Sequence, residues 1–172
     1  MSEHHPESEA SLKPKHQGES SDTALQGKLL SEARRTKCPY VGEMRVENGK
    51  VTLALSGDMR NEASIQKLGN LLATFAGDPD VRSLTLDLTG THLHASSSLA
   101  EYIRATKILR NKGKPLLGMR GAHPDFLRVL EITHTKELFV LEMTDPPSPA
   151  KAVGEEVQRK LGAAGIQKPR DS

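Results

Sequence analysis

The chain has no tryptophan, and phenylalanine and tyrosine together supply only 3% of its 172 residues. Proteins that hold single-stranded nucleic acid stack bases on aromatic rings beside a basic groove. Here the rings are missing, the net charge is only +2, and the basic residues are scattered. No nucleic acid partner is expected. Cysteine occurs once, at Cys38, so no disulfide can form within the chain, which fits a reducing compartment. No stretch approaches the ~20 apolar residues of a membrane span, and the first residues lack the apolar core of a secretory signal. Chemistry-bearing motifs are equally scarce. There is no Gly-x-Ser-x-Gly elbow, no glycine-rich phosphate loop, and no zinc-type spacing among His92, His94, His123 and His134. The expectation is a cytoplasmic protein that is not an enzyme, with no catalytic or metal-binding residues, no cofactor and no integral membrane segment.

What the chain does contain is a concentrated apolar middle. Hydrophobic residues make up 35% overall, but they gather between Val51 and Leu141, enough for one domain of roughly 100 residues. Residues 1–39 read as a disordered tail, rich in Ser, Glu, His, Lys and Pro. Within that tail, Leu25, Leu29, Leu30 and Ala33 space a possible short helix over 23–36. Residues 40–145 form the domain. Residues 146–172 hold a Pro-rich break, a helix over about 150–161 and a frayed end.

Inside the domain, Asn48-Gly49 between two alternating runs marks a hairpin, with strands at 44–47 and 50–56. Ile65, Leu68, Leu72 and Phe75 share one face of a helix that Gly77-Asp78-Pro79 stops. Leu84, Leu86 and Leu88 alternate with Ser83, Thr85 and Asp87, as in a strand with one buried face. Ser96-Ser97-Ser98 then opens a helix with Leu99, Ile103, Thr106 and Leu109 inward and Glu101 facing water. A strand at 115–119 follows, then a helix from Pro124 whose apolar face is Phe126, Val129 and Leu130. The fold class is α/β. A single domain with a mixed sheet of four to five strands is covered mainly on one face by three to four helices.

The serines admit two readings. Ser98-Leu99-Ala100-Glu101 matches a capping box, in which Ser98 would cap the helix and Glu101 reach back. A helix start is also where an added phosphate finds free N–H donors and a favourable dipole.

From about Lys50 to Thr144 this order of elements resembles the STAS family, the anti-sigma factor antagonists and their regulatory relatives. The family signature is a Leu-Asp-Leu strand, a short loop, then Asp-Ser-Ser-Gly-Leu opening a helix. Here Leu86-Asp87-Leu88 stands in register, followed by Ala95-Ser96-Ser97-Ser98-Leu99. Downstream, residues 126–133 resemble the family's third helix and Leu138-Phe139-Val140 its closing strand. The resemblance implies a regulatory protein-binding domain that controls transcription by partner switching with an anti-sigma factor that is also a serine kinase. It implies phosphorylation at Ser96, with Ser97 as second candidate. A contact patch of Met59, Arg60, His94, Ala95, Ser96, Ser97, Ser98, Glu101 and Tyr102 goes with that reading. Ala95 stands where the family has an acidic residue, Ser98 where it has Gly, and His94 where it generally has an apolar residue. The alternative implied by those departures is an unphosphorylated STAS scaffold, or a subunit of a larger complex such as a lipid-transport ATPase or a stress-signalling assembly.

Overall fold

The structure, a computed structural model, describes residues 17–142, with side chains from Ser21. The expected tail before residue 17, the Pro-rich break and the helix at 150–161 lie outside the described residues. Ten elements follow one another: α1 (Gln17–Thr36), β1 (Val41–Glu47), β2 (Lys50–Ser56), α2 (Glu62–Gly77), β3 (Ser83–Gly90), α3 (Ser96–Asn111), β4 (Gly118–Arg120), α4 (Pro124–Ile132), a 3-10 turn (Lys136–Leu138) and β5 (Val140–Glu142). The sheet runs β1-β2-β3-β4-β5, antiparallel between β1 and β2 and parallel thereafter.

That arrangement follows from the connections. Asn48 (φ 52°) and Gly49 (φ 73°) both take the left-handed conformation that a two-residue hairpin needs, so β2 folds back on β1. Each later strand is reached through a helix, and a helical crossover returns the chain parallel. Val51 pairs with Leu84 and Leu53 with Leu86, and all four are at most 1% exposed. Thr52 pairs with Thr85 and Ala54 with Asp87 on the opposite, only half-buried face. The helices therefore cover mainly one side.

On that side α2 contributes Ile65, Leu68, Leu71, Leu72 and Phe75, and α3 contributes Leu99, Tyr102, Ala105 and Leu109. The inward face of α3 is thus turned slightly from the expected one, with Tyr102 in the core and Ile103 half-buried. Val129 of α4 is exposed rather than part of an apolar face, because that short helix turns Phe126 and Leu130 into the core, with Leu127 packed partly against it. Asn61 caps α2, its Oδ1 accepting the Ser64 N–H at 2.9 Å. At the other end Lys114 donates to the Ala76 carbonyl at 3.1 Å and also to the Asp78 carbonyl.

Four boundaries differ from the sequence reading, the first being the start of β1, at Val41 rather than Met44. α1 begins at Gln17 rather than Thr23 and buries Leu25 and Leu29 in the common core. β4 occupies 118–120, where Gly118 alone lets the strand pass Thr85: a Cβ there would lie 2.5 Å from the Thr85 Oγ1. The residues expected to form the closing strand lie partly in the 3-10 turn, and pairing with β4 starts at Val140.

Candidate functional site

β3 ends at Gly90 and the chain crosses to α3 through residues 91–95, at the carboxyl end of the central strand. Thr91 turns the chain: its N–H and its hydroxyl both donate to the Leu88 carbonyl, at 2.9 and 2.7 Å. The crossing segment is then held from the side by the β2–α2 loop. Met59 N–H donates to Leu93 O, and Ala95 N–H donates to Met59 O, each at 3.0 Å, making an isolated parallel bridge between Met59 and His94. This bridge fixes where α3 can begin. Ala95 is its N-cap, and no side chain caps the first turn.

Three serines therefore occupy the first three helical positions and meet three fates. Ser96 is exposed, Ser97 half-buried and Ser98 fully buried. The Ser98 hydroxyl donates back to the Ala95 carbonyl at 2.6 Å. The capping-box reading is thereby corrected, since Ser98 lies inside the helix rather than before it. Glu101 does not reach back either. Its carboxylate accepts from Arg104 Nη1 at 3.1 Å and lies over Gly69 of α2, where a Cβ would meet Oε2 at 1.9 Å.

Beneath the loop is a small polar and aromatic cluster. His94 stacks on Phe126, with centroids 4.2 Å apart and planes inclined 28°, and presents its edge to Tyr102 at 6.1 Å. Tyr102 OH donates to Met59 Sδ at 3.0 Å. His94 Nε2 lies 3.0 Å from Thr91 Oγ1, whose own proton is directed at Leu88 O, so the hydrogen-bond pattern assigns the imidazole proton to Nε2. Burial, reinforced by the charge of His123, pulls the His94 pKa down to about 4, so the ring is neutral at ordinary pH. Burial likewise pushes the Tyr102 phenol far up, which keeps it a neutral donor. Nearby, Asp87 joins β3 to β4. Burial alone would raise its carboxyl pKa, but hydrogen bonds from Thr89 and from Arg120 Nε (3.0 Å) and Nη2 (2.8 Å) outweigh that and hold it below the usual range.

No protein-family model matches the chain, and no curated protein matches it in sequence. Solved structures do. An anti-sigma-factor antagonist (STAS) domain protein from Planctomyces limnophilus superposes with a TM-score of 0.54 at 14% identity, over 72% of this chain and 98% of its own. A candidate anti-sigma factor antagonist from Thermotoga maritima gives a TM-score of 0.53 at 15% identity, over 68% of this chain and 94% of its own. The chain has the STAS fold. At such low identity the likeness carries the architecture alone.

On this STAS fold the residues expected to form one contact patch divide by depth. Arg60 and Ser96 are exposed, while His94, Ala95, Ser97 and Glu101 are half-buried. Met59, Ser98 and Tyr102 are 0% exposed and lie under the patch, where they support it. Their burial has a physical reason: Tyr102 OH is satisfied by Met59 Sδ, and the Ser98 hydroxyl by the Ala95 carbonyl. Several residues at the site escape a reading of the sequence. Leu93 is 43% exposed beside Ser96, and its only signal is an apolar residue flanked by His92 and His94. Thr91, which meets the Nε2 edge of His94, carries none, and Phe126 is marked only as a core-facing residue, not as the ring stacked on that imidazole. Among the described residues no three His, Cys, Asp or Glu side chains converge as a metal site. His123 is instead the N-cap of α4, accepting the Asp125 N–H at 3.3 Å. No described helix is long and apolar enough to cross a membrane.

Proposed function

We propose that this chain is a regulatory protein-binding domain of the anti-sigma factor antagonist kind. It captures an anti-sigma factor through the surface around Ser96 and is released when that serine is phosphorylated. The observation that carries the reading is the exposed Ser96 hydroxyl at the first position of α3, above a first turn with no side-chain cap. Phosphorylation there adds about −1.5 to −2 charges. The helix N-terminus favours that charge, so the fold tolerates the modification. A partner surface that must dry against the same spot does not, and losing one hot spot of ~2 kcal/mol weakens binding more than tenfold. The exposed neighbours Arg60, His92 and Leu93 complete the surface, with Ala95 and Ser97 at its centre. In this reading the chain is the substrate of its partner's kinase activity, catalyses nothing itself, and works in the cytoplasm beside the transcription machinery. Solved structures sharing the fold include proteins described as anti-sigma factor antagonists, which supports the choice of partner class.

One observation favours a second reading. Ala95 offers no carboxylate at the N-cap to orient an acceptor hydroxyl, which suits an unphosphorylated scaffold within a larger complex. Affinity capture from the protein's own host separates the two. Recovery of a serine-kinase anti-sigma factor by the wild-type and Ser96→Ala proteins, but not by Ser96→Asp, is the expected result. Recovery of a transporter ATPase or a stress-signalling assembly equally by all three establishes the scaffold instead.

A further inference from the structure

We infer that α1 is a strap whose docked position holds the serine loop in shape, acting through Tyr40. The inference rests on the reading of that loop as the partner surface, and it adds a means of regulating it.

The fastening of α1 is shallow and polar. Of its described side chains only Leu25 and Leu29 are fully buried, with Leu30 and Ala33 packed partly against the core. The remaining ties are side-chain latches. The Asp22 carboxylate accepts the N–H groups of Asn48 and Gly49 at the hairpin turn. Gln26 Nε2 donates to Met44 O at 3.2 Å, and Lys28 Nζ meets Asp78 Oδ2 at 2.7 Å. A helix held by two buried leucines, two partly buried neighbours and a few polar latches belongs to the low-stability end of a fold, where local opening precedes global unfolding.

What α1 leads into is the crucial part. The helix ends at Thr36, Lys37 takes a left-handed turn (φ 48°), and within four residues of the helix the buried Tyr40 is set between β1 and the β2–α2 loop. Tyr40 O accepts the Ser56 N–H at 2.9 Å, and Tyr40 OH accepts the Asn61 N–H at 3.1 Å. Both ends of that loop are thus tied to one residue. Its middle, Met59, forms both hydrogen bonds that brace the serine loop, to Leu93 and from Ala95. Releasing α1 frees the segment that seats Tyr40, and the brace on Ala95 slackens with it. Tyr40 is a positioning residue here, not a contact residue.

Amide hydrogen exchange on the full chain tests this without any partner, so its failure leaves the Ser96 reading untouched. The Met59 and Ala95 amides report the brace, the α1 amides report docking, and the β3 amides report global stability. Leu29→Ala is expected to speed exchange in α1 and, by about tenfold or more, at Met59 and Ala95, with β3 unchanged. Tyr40→Phe keeps the ring and removes only the hydroxyl. It is expected to speed Met59 and Ala95 by a similar factor while α1 stays protected. Unchanged exchange at Met59 and Ala95 in Tyr40→Phe, or in a Leu29→Ala protein whose α1 has opened, overturns the inference. If Leu29→Ala loosens β3 as well, Tyr40→Phe alone decides.

Discussion

His94 is the side chain whose ionisation bears most on the site. Its pKa lies near 4 in the folded chain, from burial and the neighbouring His123, against 6.5 for a free imidazole. The unfolded chain therefore takes up the proton first as the pH drops. Stability from this group is fully present above about pH 6.5, declines between about 6.5 and 4, and levels off below. Allowing for partial exposure of the ring, the decline amounts to roughly 2–3 kcal/mol. Thermal denaturation from neutral pH to about 4.5 is expected to show it. His94→Phe keeps the stack on Phe126 and is expected to flatten the profile over that range, whatever its absolute stability. An undiminished slope in that variant assigns the pH dependence elsewhere. A second residue-scale case concerns Gly69, covered by the Glu101 side chain. Gly69→Ala gains about 0.8–1 kcal/mol of helix propensity but must push Glu101 aside. It is expected to be near neutral alone and stabilising by about that amount in a Glu101→Ala background, as urea denaturation measures.

At the scale of elements, β3 and β4 share only three paired positions, and the Arg120–Asp87 pair adds a side-chain tie across them. Both groups are partly solvated, so the coupling is expected to be about 1 kcal/mol, read from a double-mutant cycle of Asp87→Ala and Arg120→Ala. A coupling near zero removes the pair as a fastener of β4. The elements also show what a sequence makes legible. The leucine alternation in β3, the Asn48-Gly49 turn and the apolar stripe of α2 are local patterns, and each stands where the spacing puts it. The start of α3 is different. Ser98 fits a capping box as a string of letters, yet the helix begins earlier because Met59, distant in sequence, bridges to the loop. No local pattern records that contact. Tyr102 is an intermediate case: its three-residue step from Leu99 already places it on the buried face of α3. The glycine at the start of β4 also has a reason outside its own sequence, since a Cβ at Gly118 would collide with Thr85 on the neighbouring strand.

For the whole molecule, the arrangement separates support from contact. A leucine-faced sheet carries a crossing loop, the buried Met59 and Tyr102 and the half-buried His94 prop it up, and the exposed Ser96 stands at the helix tip. Ser96→Asp touches none of that support, so its melting temperature is expected to match that of Ser96→Ala closely. The most direct measurement is the affinity of these two proteins for the partner that capture from the host recovers, titrated side by side. The account predicts that Ser96→Asp binds at least about tenfold more weakly with an unchanged melting temperature. Equal affinities for the two variants would contradict it.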